Sequence, residues 1–288
     1  MNDDTVTIRI GHSPDPDDAF MFHALTNGTI DTGNRRYEHV LVDIDTLNSE
    51  AEIGSFEVSA VSIHSYPKIS DSYFLMNCGA SMGEGYGPMV VCKKGVSLEH
   101  AKNSTIAVPG LKTSAYLGIK LCWGDLNYEV VPFDEIIPRI LDGTYKSGLI
   151  IHEGQLTYVD HNLDVLVDLG VWWNEKTGGL PMPLGGNVVR RDLGKQIMED
   201  VTMYTKMSIE HSIANPDVAL QFAKKWGRGI DDDTNREFVT MYVNERTIDY
   251  KTEGRESIRM FLREGQDIGL IDSDFDISSV QFIGSGES

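Results

Sequence analysis

The sequence has few cysteines, no long apolar run and a shortage of basic residues. Its three cysteines, Cys78, Cys92 and Cys122, are an odd number at wide spacing. This pattern indicates neither a disulfide framework nor a paired metal ligand set, so we expect reduced and mostly buried thiols. No stretch reaches the roughly 18 consecutive apolar residues that a membrane helix needs, and no membrane insertion is expected.

The balance of charge argues against nucleic acid as a partner. Lys and Arg number 25 against 44 Asp and Glu, giving a formal net charge of −19. Such a charge disfavours non-specific binding to nucleic acid, although a small anionic ligand can still be held by local donors. The acidic start, Met1–Thr5, has neither the basic nor the apolar region of a secretory signal, so we expect a cytoplasmic protein. The oligomeric state is not predicted.

Several catalytic and cofactor motifs are also absent. The sequence contains no His-Glu-x-x-His, paired-cysteine or clustered-histidine pattern, and therefore no metal site is expected. The turn Pro109–Thr113 lacks the spacing of a phosphate loop, and no Gly-x-Ser-x-Gly elbow of a serine hydrolase occurs. We expect a protein without metal or cofactor.

The first half of the chain alternates strand-like and helix-like segments. Thr5–Ile10 alternates polar and apolar residues, which predicts a strand, and Asp17–Leu25 has apolar residues at helical spacing. A second such series begins with a strand over 105–108 and a helix over 113–123. Repeated βα units predict an α/β fold with mainly parallel sheets.

At 288 residues the chain is long for one core, which favours two domains. Glycine- and proline-rich connections at residues 79–88 and 180–186 predict two interdomain crossings. We therefore expect a discontinuous large domain of residues 1–90 and 188–288, with a helical C-terminal part. Residues 91–187 would form a small domain, and the substrate cleft would lie between the two.

His152 follows a predicted apolar strand, Gly148–Ile151, and precedes Gly154. The carboxyl ends of strands in open α/β sheets are where ligands bind. Histidine titrates near pH ~6.5, so a general base is one interpretation of this residue. A buried histidine bonded to its neighbours is the alternative, and the segment alone does not decide between them.

Two predicted turns combine polar side chains with a helix start. In the first, Ser13 and Asp18 can bind substrate hydroxyls, or Asp15 or Asp17 can simply cap the helix. In the second, the hydroxyls and backbone N–H groups of Thr113–Ala115 can bind a carboxylate, or either hydroxyl can be a plain N-cap.

Two further segments allow both a functional and a structural interpretation. Ser62 ends the apolar segment Ser59–Ser62 and can offer a hydroxyl to a ligand, although local backbone bonding is common for serine. Trp172 and Trp173 offer aromatic faces that can stack on a flat ligand, and core packing is the alternative.

Several short motifs follow one another in a fixed order along the chain. They include Ser13-Pro14-x-Pro16-x-Asp18, Asp45-Thr46-Leu47-Asn48, Gly85-x-Gly87-Pro88, Gly148-Leu149-Ile150-Ile151-His152-Glu153, Asp168-Leu169-Gly170 and Leu180-Pro181-x-Pro183-Leu184-Gly185. Together they resemble the 1,4-dihydroxy-6-naphthoate synthase family of the futalosine route to menaquinone. The resemblance is dense from about residue 6 to about residue 194.

The resemblance implies a two-lobe, type 2 periplasmic binding-protein fold and a cofactor-independent lyase. Members of the family cleave cyclic dehypoxanthine futalosine at a carbon–carbon bond, releasing 1,4-dihydroxy-6-naphthoate and a three-carbon fragment. By position, His152 is the implied base. The implied or expected substrate contacts are Ser59, Ala60, Val61, Ser62, Thr113, Ser114, Ala115, Ser13, Asp18 and Asn48.

The sequence departs from the family pattern at Asp15 and Asp17, where cysteine and asparagine are expected, and at Ala60, where many members have lysine. Two other functions remain as alternatives. One is a non-catalytic binding protein for a small organic anion, because the same fold serves both classes. The other is chorismate dehydratase, which shares the fold but whose opening motif is not present here.

Overall fold

The computed structural model describes residues 6–224 and 231–284, so Thr5 of the predicted first strand lies outside the described residues. The chain divides into two compact units. Unit 1 takes its residues from Met1–Ser81, Gly185–Thr252 and Asp276–Ser288, and unit 2 from Met82–Leu184 and Glu253–Phe275. In the described chain, no helix is both long enough and apolar enough to span a bilayer.

Unit 1 is built on a mixed sheet with the strand order β12-β4-β11-β3-β1-β2, and β5 also pairs with β11. The alternation predicted for the first strand is present, because Ile8 and Ile10 are fully buried while Arg9 is exposed. The strands are β1 (Val6–His12), β2 (Arg35–Leu41), β3 (Val58–Ser62), β4 (Tyr73–Met76), β5 (Ser81–Gly83), β11 (Met182–Arg190) and β12 (Phe282–Ile283).

Helices pack on the sheet of unit 1 around a core that includes Ile8, Ile10, Phe20 and Phe22. Its helices are α1 (Pro16–Thr26), α2 (Ile44–Glu52), α3 (Tyr66–Ile69), α9 (Lys195–Ala214), α10 (Pro216–Ala223), α11 (Asp232–Tyr242) and α12 (Glu245–Ile248). Pro16 occupies the first turn of α1, where a missing N–H costs no hydrogen bond.

Unit 2 has a five-stranded sheet in the order β10-β6-β9-β7-β8. Its core includes Val91, Ala107, Ile136 and Ile150. The strands are β6 (Met89–Lys93), β7 (Ile106–Val108), β8 (Tyr128–Val130), β9 (Ser147–Ile150) and β10 (Leu163–Asp168). The helices are α4 (Leu98–Lys102), α5 (Ser114–Trp123), α6 (Phe133–Leu141), α7 (Gly154–Thr157), α8 (Leu169–Thr177) and α13 (Lys251–Asp267).

The pairing is more mixed than the expected mainly parallel sheets. β1 pairs in parallel with β2 and β3, and β7 pairs in parallel with β8 and β9. In contrast, β6 runs antiparallel to β9 and β10, and β11 runs antiparallel to β3 and β4. Both strands lie close to the points where the chain passes from one unit to the other, so each is reached by a connection other than a βα unit.

The C-terminal segment Glu253–Phe275 belongs to unit 2, whereas the sequence placed it in the large domain with residues 188–288. The Trp173 Nε1–H donates to Ser257 Oγ at 2.9 Å, and Ser257 Oγ donates to the Pro181 carbonyl at 2.6 Å. Gly265 packs against Leu117 and Ile271. These contacts attach α13 to unit 2, and the chain therefore passes between the units again after residues 252 and 275 in addition to the two expected crossings.

The motifs Gly85-x-Gly87-Pro88 and Asp168-Leu169-Gly170 are far apart in the sequence but pack against each other within unit 2. The Leu169 N–H donates to the Pro88 carbonyl at 2.9 Å. A Cβ built on Gly170 would lie 1.9 Å from the Tyr86 carbonyl oxygen, and one on Gly87 would lie 2.9 Å from the Gly170 nitrogen. Both glycines are therefore required because two backbone segments approach too closely for any side chain.

We expect Gly170→Ala to destabilise unit 2 by about 2–3 kcal/mol, the usual range for an overpacked site. The loss should exceed the helix-propensity gain of about 1 kcal/mol that alanine normally brings. Gly154→Ala is a matched control, since its Cβ would lie 3.5 Å from the nearest atom, an ordinary contact. Denaturant unfolding followed by the fluorescence of Trp172 and Trp173 measures both variants. Equal stability of the two would contradict this account of Gly170.

Candidate functional site

Three parallel strands of unit 2 bring separate polar segments to one edge of its sheet. The register pairs Ile106 with Ser147 between β7 and β9, and Ile106 with Tyr128 between β7 and β8. Their carboxyl ends therefore lie side by side, at the edge where α/β sheets bind ligands. His152 follows β9, Phe133 follows β8, and the start of α5 follows β7.

His152 is held in an unusual backbone conformation. Its φ is 55°, in the left-handed region that non-glycine residues rarely occupy. The His152 carbonyl accepts from the Gln155 N–H at 3.1 Å, which closes the turn into α7. The half-buried ring meets the Phe133 ring edge-on, with centroids 4.8 Å apart. Backbone strain of this kind is concentrated at functional sites.

The start of α5 offers backbone amides more than hydroxyls. Thr113 is the N-cap: its Oγ1 accepts from the Tyr116 N–H at 3.1 Å and donates to the Gly110 carbonyl at 2.8 Å. Ser114 Oγ donates to the Leu184 carbonyl at 2.6 Å. The Ala115 N–H has no hydrogen-bond partner within the described residues, as is usual in a first helical turn. This end of α5 can accept an anion through its amides and dipole.

Unit 1 has a corresponding edge at the carboxyl ends of β1 and β3, where Gly11 and Ser59 are in register. The Ser13 N–H and Oγ reach Asp18 Oδ2 at 3.0 and 2.7 Å. Ser13 Oγ also lies 2.7 Å from Asp15 Oδ2. Ser13, Asp15, Asp17 and Asp18 are all buried. The first turn of α1 is therefore an acidic, hydrogen-bonded segment.

The remaining expected contacts of unit 1 are also buried. Asn48 Nδ2 donates to Ser62 Oγ at 3.0 Å, and the Ser62 N–H donates to Asn48 Oδ1 at 2.8 Å. Ser59 Oγ donates to the Ala60 carbonyl at 3.0 Å. Val61 is fully buried and Ala60 is 7% exposed. Asn48 thus fixes the end of β3, which is the structural role weighed for Ser62.

The structure decides between the alternatives for Trp173 and Asp15. Trp173 is fully buried, donates to Ser257 and meets Phe261 at 5.3 Å, so it is a core residue and offers no face to a ligand. Asp15 occupies the N-cap position of α1, but its side chain accepts no cap hydrogen bond, so it does not cap the helix. Its carboxylate contacts Ser13 instead.

The sequence analysis missed a histidine pair beside Ser13, of which His12 is fully buried and His39 is half-buried. His12 Nε2 lies 2.6 Å from His39 Nδ1, and His12 Nδ1 lies 2.7 Å from the Ser13 carbonyl oxygen. Burial, together with the neighbouring His39, lowers the pKa of His12 to about 3. Burial also lowers the pKa of His39 to about 4. The sequence signal that could have revealed His12 was its position on the same face of β1 as the apolar residues Ile8 and Ile10.

In the described residues, no group of three or more His, Cys, Asp and Glu side chains is arranged to hold a metal ion. Cys78 and Cys92 are buried and Cys122 is half-buried, and all three are free thiols. Burial raises the pKa of the Cys78 thiol to about 12, which makes it a poor nucleophile.

Comparison with solved structures defines the class of protein. The periplasmic aliphatic sulphonate binding protein SsuA from Escherichia coli aligns with a TM-score of 0.68 at 10% identity, covering 96% of this chain and 92% of that one. A crystal structure from Archaeoglobus fulgidus aligns with a TM-score of 0.87 at 42% identity, covering 92% and 98% of the two chains. The fold is therefore that of the periplasmic binding proteins, as the family resemblance implied.

Comparison of sequences defines the family. A family model described as menaquinone biosynthesis matches residues 8–267. A 1,4-dihydroxy-6-naphthoate synthase of Thermus thermophilus is 34% identical over 263 residues, which cover 91% of this chain and 95% of the relative. The synthase of Streptomyces coelicolor is 32% identical over 271 residues, covering 92% and 95%. The chain belongs to this family of menaquinone biosynthesis.

The histidine pair predicts how stability depends on pH. The unfolded His12 takes up a proton near its ordinary pKa of 6.5, whereas the folded residue does so only near 3. The stabilisation is therefore complete above pH ~7 and is lost as the pH falls from there towards 3. Between pH ~7 and ~5, His12 alone should cost about 2 kcal/mol of unfolding free energy.

His12→Phe should flatten this dependence, because the ring is retained while the titrating group is removed. The exposed His100 is a matched position, and His100→Gln should leave the dependence unchanged. Denaturant unfolding at a series of pH values measures both variants. The same slope for wild type and His12→Phe would show that His12 is not a source of the acid sensitivity.

Proposed function

We propose that this chain cleaves a carbon–carbon bond of cyclic dehypoxanthine futalosine, releasing 1,4-dihydroxy-6-naphthoate and a three-carbon fragment. The observation that carries the proposal is one edge of unit 2, where the left-handed turn of His152 follows β9 and the start of α5, with Thr113 as its N-cap, follows the neighbouring parallel strand β7. Membership of the menaquinone biosynthesis family supports this substrate over other anions. The names of both curated relatives agree with it.

In this proposal the start of α5 binds the carboxylate of the aromatic ring system. Hydrogen bonds from backbone amides to an ionised carboxylate are stronger than those between neutral groups, and the helix dipole adds to them. The hydroxyls of Thr113 and Ser114 already donate to the carbonyls of Gly110 and Leu184. The amides, the Ala115 N–H among them, are therefore the donors that we assign to the carboxylate.

His152 acts as the general base. It removes the proton of a substrate hydroxyl, and the electrons released form the carbonyl of the leaving three-carbon fragment as the carbon–carbon bond breaks in a retro-aldol-like cleavage. The electron pair of that bond passes into the ring system, which takes up a proton as it becomes the aromatic diol. Formation of the aromatic product drives the step. A positioned base supplies about 10²–10⁴-fold in rate. The edge-on contact with Phe133 at 4.8 Å and the closed turn support this role, because both restrict the ring.

We assign the polar edge of unit 1 to the hydroxyl groups of the substrate. Ser13, Asp18, Asn48 and the Ser59–Ser62 segment are its proposed contacts. The carboxylates of Asp15, Asp17 and Asp18 are acceptors and suit hydroxyl donors, whereas they would repel the substrate carboxylate. The acidic departures from the family pattern are thus compatible with this assignment.

Turnover tests the proposal directly. Purified protein incubated with cyclic dehypoxanthine futalosine should release the naphthoate, detected by its absorbance and by mass. Tight binding without turnover would instead indicate a binding protein, and loss of water from chorismate would indicate chorismate dehydratase. Either of these results would overturn the proposal.

His152→Asn should lower kcat by at least about 100-fold, as expected for loss of a general base. Asparagine tolerates the left-handed conformation, so the melting temperature should stay close to that of the wild type. Asn162 has a φ of 56° in the same unit, and Asn162→Gly is a control that alters another left-handed position. That variant should keep wild-type turnover. Near-normal turnover of His152→Asn with an intact fold would exclude His152 as the base.

The carboxylate assignment predicts a difference between two ligands. 1,4-Dihydroxynaphthalene, which lacks the carboxylate, should bind about 10–100-fold more weakly than 1,4-dihydroxy-6-naphthoate, because hydrogen bonds to a charged group contribute about 1.5–3 kcal/mol. Isothermal titration calorimetry measures both dissociation constants. Equal affinities would mean that the start of α5 does not bind the carboxylate.

A further inference from the structure

His12 occupies a position where an apolar side chain would be expected. It lies on the same face of β1 as Ile8 and Ile10, and all three side chains are fully buried. The His12 ring packs 5.1 Å from Phe22, and His39 packs 5.7 Å from Phe222. Burying an imidazole is costly unless its nitrogens are hydrogen-bonded, so core packing alone does not explain a fully buried His12 next to the half-buried His39.

The hydrogen bonds fix the protons of both rings. His12 Nδ1 faces the Ser13 carbonyl oxygen at 2.7 Å, and since a carbonyl only accepts, Nδ1 must carry the proton. The neutral His12 ring then has Nε2 as an acceptor. His39 Nδ1, 2.6 Å away, is consequently the donor. A directed chain therefore runs from His39 through His12 to the backbone of Ser13.

This chain ends on the peptide that orients Ser13. The Ser13 carbonyl belongs to the peptide bond with Pro14, which has no N–H to fix it. With that carbonyl held by His12, the Ser13 N–H and Oγ are directed to Asp18 Oδ2 at 3.0 and 2.7 Å. The polar turn at the start of α1 is thus anchored on one side by His12 and on the other by Asp18.

We propose that the His12–His39 pair is a positioning device that sets the orientation of the Ser13–Asp18 turn for binding the substrate hydroxyls. The inference rests on the proposed function, in which this turn contacts the substrate. His12 and His39 are positioning residues in this view and do not touch the substrate. Their effect should therefore fall on KM, with kcat nearly unchanged.

Two substitutions of His12 separate its two hydrogen bonds. The amide nitrogen of asparagine matches the position of Nδ1, so His12→Asn keeps a donor for the Ser13 carbonyl and loses the contact with His39. The amide of glutamine matches the position of Nε2, so His12→Gln keeps the contact with His39 and loses the one with Ser13. We expect KM to rise about tenfold in His12→Gln and less than about threefold in His12→Asn, with kcat within about twofold in both.

His23 offers a matched control in the same core. It is buried, and its ring lies 5.0 Å from Phe222, the ring that also packs on His39. His23 Nε2 lies 2.7 Å from Asn27 Nδ2, at the end of α1 remote from the Ser13–Asp18 turn, so His23→Asn should leave KM at the wild-type value even if the melting temperature falls. If KM rose as much in His23→Asn as in His12→Gln, the effect of the His12–His39 pair would be one of core packing in general. That result would overturn the proposal.

A second measurement does not require turnover. The Ser13 amide hydrogen, bonded to Asp18, should exchange slowly with deuterium in the wild type and in His12→Asn, and about tenfold or more faster in His12→Gln. Equal exchange in all three proteins, or equal KM in the two His12 variants, would overturn the inference. Absence of naphthoate from the wild type would instead count against the proposed function, and the exchange rates would still test the positioning of Ser13.

Discussion

The candidate site depends first on the register of parallel strands. Because β7 pairs in parallel with both β8 and β9, three connections that are far apart in the sequence emerge at one edge of the sheet of unit 2. His152, Phe133 and the start of α5 owe their proximity to this register. A slip by one residue would turn the side chains of a strand to the opposite face. Gly148 secures this packing, since a Cβ there would lie 2.4 Å from Ile136.

The hydrogen bonds within the chain determine which polar groups remain to bind a ligand. The hydroxyls of Thr113, Ser114 and Ser59 all donate to backbone carbonyls, and the amide of Asn48 is paired with Ser62. What remains at the start of α5 are backbone donors and the helix dipole, both of which favour an anion. A similar account explains the burial of His12, because both of its ring nitrogens have a hydrogen-bond partner, the Ser13 carbonyl oxygen and His39 Nδ1.

Much of the fold could be predicted from local patterns. The alternation before Gly11, the helical spacing after Pro16 and the capping residue Thr113 each describe a local preference, and the structure confirms a strand, a helix and an N-cap there. Local patterns left alternatives open where a side chain could take either of two environments. Trp173 is a core residue, and Ser257, far away in the sequence, supplies the acceptor for its indole N–H. The Asp15 carboxylate accepts no cap hydrogen bond and contacts Ser13 Oγ instead.

Local sequence patterns predict the α/β class, the positions of the glycine-rich connections and the placement of His152 at the end of a strand. These features follow from periodicity and turn chemistry within about ten residues. Only the tertiary structure decided that α13 joins unit 2, that His152 adopts a left-handed backbone and that His12 meets His39. These features depend on contacts between segments separated by tens of residues. Sheet register and burial select such contacts, and local sequence preferences do not encode them.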